Sequence, residues 1–190
     1  LSFTDGKTVV PMVSSMDHKR ALDGDKGLNT GGMGTVAPNP YYTDDIAKTC
    51  METIFKPTIE AMNKEGRSFS GCLYFGLMLT EKGPKVIEYN CRFGDPETQA
   101  VLPLLETDLL DIMEATAAGR LSEVNVKWSS DSSCCLILAS GGYPKAYKKG
   151  LPISGLDEKG QLPDGSAEVF HAGTMLEDGK YFPNGGRGLG

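Results

Sequence analysis

A fifteen-residue segment, Lys85 to Gln99, combines the alternation of a strand with the start signal of a helix. It reads Lys-Val-Ile-Glu-Tyr-Asn-Cys-Arg-Phe-Gly-Asp-Pro-Glu-Thr-Gln. Alternation in its first half predicts one face with Lys85, Ile87 and Tyr89 and an opposite face with Val86, Glu88 and Asn90. Residues two apart on a strand are separated by roughly 6.5 to 7 Å, so a carboxylate and an amide oxygen can reach one cation. Oxygen ligands of this kind suit Mg²⁺.

The second half of the segment predicts a helix that opens at Asp95 and Pro96. Asp at the cap satisfies free amides, and Pro at the first helical position has no amide to lose. A helix N-terminus beside a metal-binding strand attracts anions. The spacing alone has a second explanation, a solvated edge strand followed by a capped helix.

The first half of the chain predicts a small number of further elements. Residues 1–12 read as a hairpin, because Asp5-Gly6 is a turn signal between apolar runs. Residues 43–64 carry apolar residues at helical spacing, with Thr43 as the cap and a kink expected at Pro57. Residues 71–79 read as a strand buried on both faces and antiparallel to the Glu88 strand.

The second half predicts one more helix and then short β segments. The helix covers residues 107–118, with Leu109, Leu110, Ile112, Met113 and Ala117 facing inward. The polar, Ser-rich residues 121–133 read as a linker. Strands are expected at 134–139, 168–172, 174–176 and 180–182. The run Tyr143, Tyr147, Lys148 and Lys149 favours an exposed basic loop over a cleft.

Residues 14–40 lose hydrophobic periodicity, and five glycines fall between positions 24 and 34. Such a stretch is either a flexible linker or a functional loop. Charged and amide side chains interleave with the glycines, which would let the backbone approach a phosphorylated ligand closely. Lys26 and Asn29 are the candidates for contacting that ligand, with His18 and Lys19 as weaker ones.

Composition limits the classes of function. The net charge of −6 argues against a nucleic-acid surface. No apolar run reaches the roughly 20 residues that span a bilayer, and we expect a cytoplasmic protein without a membrane partner. Five cysteines without a C-x-x-C pair and only two histidines argue against zinc or Cys-His catalysis.

Several motifs in order along nearly the whole chain resemble the glycinamide ribonucleotide synthetase family of the ATP-grasp superfamily. They are residues 85–99, His18-Lys19-Arg20, Asp23-Gly24-Asp25-Lys26-Gly27, Asn29-Thr30-Gly31-Gly32-Met33-Gly34, Gly76-Leu77-Met78-Leu79 and Gly141-Gly142-Tyr143-Pro144. The resemblance implies an α+β fold: the C-terminal part of an ATP-grasp domain in residues 1–120, the linker, and a small β-rich domain in residues 134–190. Residues 71–79 contain no acid, which favours this family over relatives with a second metal-binding carboxylate there.

The resemblance also implies an activity. The family joins glycine to 5-phosphoribosylamine through a glycyl phosphate, using ATP with Mg²⁺ or Mn²⁺. It implies metal binding by Glu88 and Asn90, ligand binding by Lys26, Asn29 and Arg92, and catalytic roles for Arg92 and Asp95. Two alternatives are another ATP-grasp carboxylate-amine ligase and a non-catalytic phosphosugar- or metal-binding module of a multifunctional purine enzyme.

The chain starts without Met and ends without a closing element. It is therefore expected to be a fragment, inactive or nearly so without an N-terminal portion of the same enzyme. Fusion to other purine-pathway domains is left open.

Overall fold

A computed structural model describes residues 1–190 of the chain. The strands are β1 (Ser2–Thr4), β2 (Val9–Pro11), β3 (Met16–Asp17), β4 (Arg20–Leu22), β5 (Lys26–Asn29), β6 (Gly34–Ala37), β7 (Gly71–Thr80), β8 (Gly83–Asn90), β9 (Ser133–Leu136), β10 (Leu138–Ala139), β11 (Thr174–Glu177), β12 (Lys180–Pro183) and β13 (Arg187–Leu189). The α-helices are α1 (Asp44–Cys50), α2 (Lys56–Lys64), α3 (Glu97–Val101) and α4 (Leu109–Ala117). None of them has the length and apolar character needed to cross a membrane.

The chain divides into two compact units. The first unit contains residues 1–16, 37–94 and 100–133, and the second contains residues 17–36, 95–99 and 134–190. Each unit is therefore built from segments that are distant in sequence. The predicted limits at residues 120 and 134 stay a prediction.

The first unit is built on one four-stranded antiparallel sheet in the order β2-β1-β7-β8. The predicted N-terminal hairpin is confirmed: β1 pairs with β2, and Gly6 in the connection has a φ of 85°. The predicted pairing of the strand that carries Glu88 with its antiparallel neighbour is also confirmed. Strand β8 lies at one edge of the sheet.

One helical segment covers one face of this sheet. Thr43 caps α1 by accepting a hydrogen bond from the Ile46 amide, as predicted. Residues Met51–Phe55 then form a π-helical turn that leads into α2. Pro57 lacks an amide N–H and disturbs the i→i−4 ladder, and the π-helical turn accommodates this change. The apolar side of the segment packs on the sheet in a core formed by Cys50, Ile54, Phe55, Ile59, Leu73 and Phe75.

A bulge in β8 corrects the predicted alternation of that strand. Glu88 pairs with Gly76, but Val86 pairs with Leu77, so Ile87 is the extra residue between them. Because of this extra residue, the side chains before the bulge point to the opposite face from the one that alternation predicts. Val86 therefore shares a face with Tyr89 and not with Glu88.

Two burial predictions in the first unit are wrong. Strand β7 is not buried on both faces, because Met78 is 54% exposed. The last helix, α4, begins at Leu109 and has Asp108 as its cap. Its buried residues are Ile112, Ala115 and Thr116, whereas Leu110 and Met113 are exposed.

The second unit consists of small sheets. Strands β3, β6 and β9 form a three-stranded sheet, while β4 pairs with β5, β10 with β13, and β11 with β12. The Gly-rich stretch is therefore not irregular as predicted but contains four short strands. Near the C-terminus, residues 168–172 do not form the predicted strand, but His171 forms an isolated bridge with Leu189, and backbone hydrogen bonds flank it at Phe170 and Ala172. Strand β13 was not predicted.

Candidate functional site

The two predicted metal ligands share one face of β8. Glu88 pairs with Gly76 and Asn90 pairs with Tyr74, so both side chains leave the sheet on the same side. A Cβ atom on Gly76 would lie 2.8 Å from Cγ of Glu88. The absence of a side chain at Gly76 is therefore what makes room for the Glu88 side chain. A carboxylate and an amide oxygen in this arrangement match the ligand preference of Mg²⁺ or Mn²⁺.

The opposite face of β8 is apolar and borders the helical segment formed by α1 and α2. A cavity of about 530 Å³ there is lined by residues that include Ile54, Leu73, Val86 and Tyr89. A second cavity of about 200 Å³ lies among Phe3, Cys72, Phe93 and neighbouring residues of the first unit. Neither cavity is lined by Glu88 or Asn90, so the candidate metal ligands lie on an open surface of the sheet.

Arg92 lies two residues after the end of β8 and is exposed. One of its terminal nitrogens, Nη1, donates a 2.8 Å hydrogen bond to the carbonyl oxygen of Phe93. Most of the guanidinium remains accessible, and a planar fork of donors is suited to binding a phosphoryl group or a carboxylate.

Asp95 lies in a more constrained position than predicted. Helix α3 begins at Glu97, so Asp95 is not its cap as predicted. Its Oδ1 accepts a 2.8 Å hydrogen bond from Nε2 of Gln99, and its Oδ2 lies 2.5 Å from Nη2 of Arg187. Both carboxylate oxygens thus have hydrogen-bond donors within the protein.

Lys26 and Asn29 lie in the hairpin formed by β4 and β5, and both are exposed. The tip of this hairpin has left-handed backbone at Gly24 and Asp25. Exposed side chains on a projecting hairpin can reach a ligand, and their roles as ligand contacts stay predictions.

The Gly-rich segment beyond this hairpin does not present free amides to a phosphate. The backbone amides of residues 30–33 donate to the Lys19 carbonyl, the Tyr143 hydroxyl, the Thr30 hydroxyl and the His18 carbonyl, respectively. Because these amides are used inside the protein, anion binding in this region would have to come from side chains.

Asp17 and Lys19 form an ion pair beside the Gly-rich segment. The Asp17 side chain is only 7% exposed. Burial raises the pKa of its carboxyl, a nearby Glu97 adds to this effect, and Lys19 and Arg187 oppose it. Lys19 is thereby held in place by a buried partner, which the sequence analysis did not anticipate.

Burial makes two thiols unreactive, that of Cys72 in the first unit and that of Cys135 in the second. Burial raises the pKa of Cys72 to about 11, and it does the same for Cys135, where Cys134 and Asp95 add to the effect. Both thiols are protonated near neutral pH, so neither offers the thiolate that nucleophilic catalysis requires.

Arg187 and the role of Tyr143 were not predicted from the sequence. Arg187 contacts Asp95, and Tyr143 accepts a hydrogen bond from the Gly31 amide. Both contacts join residues about a hundred or more positions apart, and no periodic pattern signals such a pair. Among the predicted site residues, Glu88, Asn90 and Arg92 belong to the first unit, and Lys26, Asn29 and Asp95 belong to the second.

Comparison with known proteins identifies the family. Residues 1–98 match the model of the phosphoribosylglycinamide synthetase ATP-grasp (A) domain, and residues 133–190 match the model of its C domain. The chain is 49% identical to a phosphoribosylamine-glycine ligase of Caldanaerobacter subterraneus, with 100% of the chain and 44% of that protein aligned. It is 50% identical to the trifunctional purine biosynthetic protein adenosine-3 of Gallus gallus, of which it covers 19%.

The structure also resembles a solved relative. The crystal structure of phosphoribosylamine-glycine ligase from Thermotoga maritima superposes with a TM-score of 0.84 at 34% sequence identity, covering 99% of this chain and 45% of that one. The chain thus spans less than half the length of these ligases. The predicted fold class, an ATP-grasp portion followed by a second β-rich part, is confirmed. The chain belongs to the phosphoribosylglycinamide synthetase family of purine biosynthesis and is a homologue of the phosphoribosylamine-glycine ligases.

Proposed function

We propose that the polypeptide carrying this chain joins glycine to 5-phosphoribosylamine, with ATP converted to ADP and phosphate. The observation that carries the proposal is the 49% identity to a phosphoribosylamine-glycine ligase over the whole chain. The open face of β8 supports it, because Gly76 leaves space for the Glu88 carboxylate next to Asn90.

The chemistry requires an activated carboxylate. A glycine carboxylate oxygen attacks the terminal phosphorus of ATP, the bond to ADP breaks, and glycyl phosphate forms. The amine of 5-phosphoribosylamine then attacks the glycyl carbonyl carbon, phosphate leaves with the bonding electrons, and the nitrogen loses a proton. Phosphoryl transfer of this kind depends mainly on positioning and charge neutralisation.

In this proposal, residues of this chain supply the positioning and the charge neutralisation. Glu88 and Asn90 would hold Mg²⁺ or Mn²⁺, which neutralises phosphate charge when bound. Arg92 would bind the transferring phosphoryl group or the glycine carboxylate through its fork of donors. The Asp95 carboxyl group would accept a hydrogen bond from the amine or from ribose hydroxyls, while Lys26 and Asn29 would contact ATP or substrate.

The partners of the proposed reaction are small molecules. ATP, glycine and 5-phosphoribosylamine are the proposed ligands, and a cytoplasmic location stays a prediction. The trifunctional relative in Gallus gallus carries a matching segment within a longer chain, so fusion to other purine-pathway domains is part of the proposal.

The first test replaces Glu88 in the complete polypeptide that carries these residues. ADP release is measured with glycine and 5-phosphoribosylamine added separately and together. We expect turnover only with both, and a loss of kcat/KM on the order of 100-fold in Glu88→Gln because one charged metal ligand is lost. Titration with Mn²⁺, followed by electron paramagnetic resonance, should show weaker metal binding in the same variant.

The matched control is Glu81→Gln, which removes an exposed carboxylate from the turn at the other end of the β7–β8 hairpin. It should leave turnover and Mn²⁺ affinity unchanged. ADP release that depends on a different acid would indicate another ATP-grasp ligase, and metal binding without any turnover would indicate a non-catalytic module. Either result would reject the proposed reaction.

A further inference from the structure

The backbone of Arg187 is held by contacts with two other segments. It lies in β13, where it pairs with Ala139 of β10, and its carbonyl oxygen accepts a 3.1 Å hydrogen bond from the Gly173 amide. Its side chain is 19% exposed. A long cationic side chain that is mostly buried needs several acceptors to offset the loss of water.

The guanidinium group of Arg187 contacts two segments of the second unit. Nη2 lies 2.5 Å from Oδ2 of Asp95, and Nη1 lies 3.4 Å from the Asp95 carbonyl oxygen. On its other side, Nη1 lies 3.1 Å from the Gly31 carbonyl oxygen and 3.0 Å from that of Gly32. One planar group thus joins Asp95, five residues after the end of β8, to the Gly-rich segment that follows the Lys26 hairpin.

The Gly31–Gly32 turn is closely fitted to these neighbours. A Cβ atom on Gly31 would lie 3.1 Å from Cζ of Arg187. On Gly32, which has a φ of 117°, it would lie 2.5 Å from Cδ of Pro96. The Gly31 amide donates a 3.2 Å hydrogen bond to the Tyr143 hydroxyl, so this peptide group is held at both its N–H and its carbonyl.

We propose that Arg187 is a positioning residue, which holds the Asp95 carboxylate and the Gly31–Gly32 turn in one fixed geometry for the reaction. This inference rests on the proposed function. The contacts to Asp95 and to the two carbonyl oxygens occupy the guanidinium inside the protein, so Arg187 acts through Asp95 and the turn and does not itself bind substrate. Only a forked donor can serve a carboxylate and backbone carbonyls at once, and a lysine ammonium is a single point charge.

The test uses the complete polypeptide with Arg187→Gln and Arg187→Lys. Arg187→Gln should lower kcat by about 100-fold, the scale expected when reacting groups are misplaced by about 1 Å. The KM for ATP should change much less, because the guanidinium of Arg187 is already bonded to Asp95, Gly31 and Gly32. Arg187→Lys should recover only part of this loss, since it restores the charge opposite Asp95 but not the bonds to both Gly31 and Gly32.

A matched control and a double variant separate positioning from general stabilisation. Arg120 also pairs with a carboxylate, that of Glu123, but this pair is exposed, and Arg120→Lys should leave kcat unchanged. Combining Arg187→Gln with Asp95→Asn should cost little more than the worse single variant, because both remove the same contact. Full activity of Arg187→Lys, or losses that multiply in the double variant, would overturn the inference.

Amide hydrogen exchange distinguishes a failure of the positioning role of Arg187 from a failure of the proposed ligase function. Arg187→Gln should increase exchange at Gly31, Gly32 and Met33 whether or not the protein is a ligase. Faster exchange in a polypeptide that shows no glycine-dependent turnover would reject the proposed function and reduce Arg187 to a structural tie. Unchanged exchange, with normal turnover in Arg187→Gln, would reject the positioning role alone.

Discussion

At the residue scale, Asp5 shows how one side chain connects a turn to a distant part of its unit. Its Oδ1 accepts hydrogen bonds from the amides of Lys7 at 3.0 Å and Thr8 at 2.7 Å. Its Oδ2 accepts a 3.1 Å hydrogen bond from the amide of Leu121, which lies 116 positions away. The same carboxylate therefore closes the first hairpin and attaches the segment after α4.

These contacts determine how stability should depend on pH. Partial burial alone would raise the pKa of Asp5, but the backbone amides of Thr8, Lys7 and Leu121 together outweigh burial and lower it below 3.8. The folded state therefore holds the Asp5 proton less tightly than the unfolded state. The stabilisation by Asp5 is complete well above pH 3.8 and is lost as the pH falls through the lower pKa of the folded state.

We predict that Asp5→Asn lowers the free energy of unfolding at pH 7 by about 2 kcal/mol, the scale of hydrogen bonds to a charged acceptor. The difference from the unmodified chain should shrink as the pH falls from 5 to 3. Urea unfolding across this range measures it. Glu106→Gln, at an exposed carboxylate of the same unit, is the control and should show no such convergence. A constant difference at all pH values would contradict the prediction.

At the scale of elements, the β7–β8 pair determines how much space the Glu88 side chain has for its proposed metal binding. Gly76 lies opposite Glu88, and the bulge at Ile87 turns Val86 toward the apolar face. The strand pair therefore separates the face of Glu88 and Asn90 from the apolar face that borders the core.

Gly76→Ala tests this arrangement. The new Cβ would meet Cγ of Glu88 at 2.8 Å and the Glu88 carbonyl oxygen at 3.3 Å, so the side chain must leave its present rotamer. We expect a tenfold or larger loss of Mn²⁺ affinity in the titration, with a stability change of only about 1 kcal/mol. The control is Gly141→Ala, where a Cβ meets no atom within 4 Å. Unchanged affinity in Gly76→Ala would show that Glu88 does not need this space.

At the scale of the whole molecule, the chain covers 44% of one curated ligase and 45% of one solved ligase. Relatives more than twice as long supply surfaces that these residues do not contain. If the proposed reaction holds, candidate metal ligands on a strand face are only part of what phosphoryl transfer requires, since the reacting groups must also be enclosed and aligned.

We therefore predict that residues 1–190 alone show no significant turnover. Glycine-dependent ADP release by the purified chain should remain far below the roughly 1 to 10 per second of an ordinary enzyme. The complete polypeptide serves as the positive control in the same assay. A rate in the ordinary range from these 190 residues would contradict the prediction and show that the site is complete within them.

Much of the local structure was predictable, because it depends on neighbours in the sequence. The Asp5-Gly6 turn, the Thr43 cap and the pairing of β7 with β8 across a short turn all follow from residues close together. The shared face of Glu88 and Asn90 was predictable for the same reason, since strand alternation relates residues two apart.

The amino-acid sequence by itself thus determined the local turns, caps and strand pairings, the family, and the face that carries the candidate metal ligands. Only the tertiary structure decided three other features. They are the bulge at Ile87, the internal hydrogen bonds of the backbone amides in the Gly-rich segment, and the ion pair of Arg187 with Asp95. The physical reason is distance along the chain. The partners of these groups lie on other strands or many residues away, and their contacts depend on how whole elements pack together.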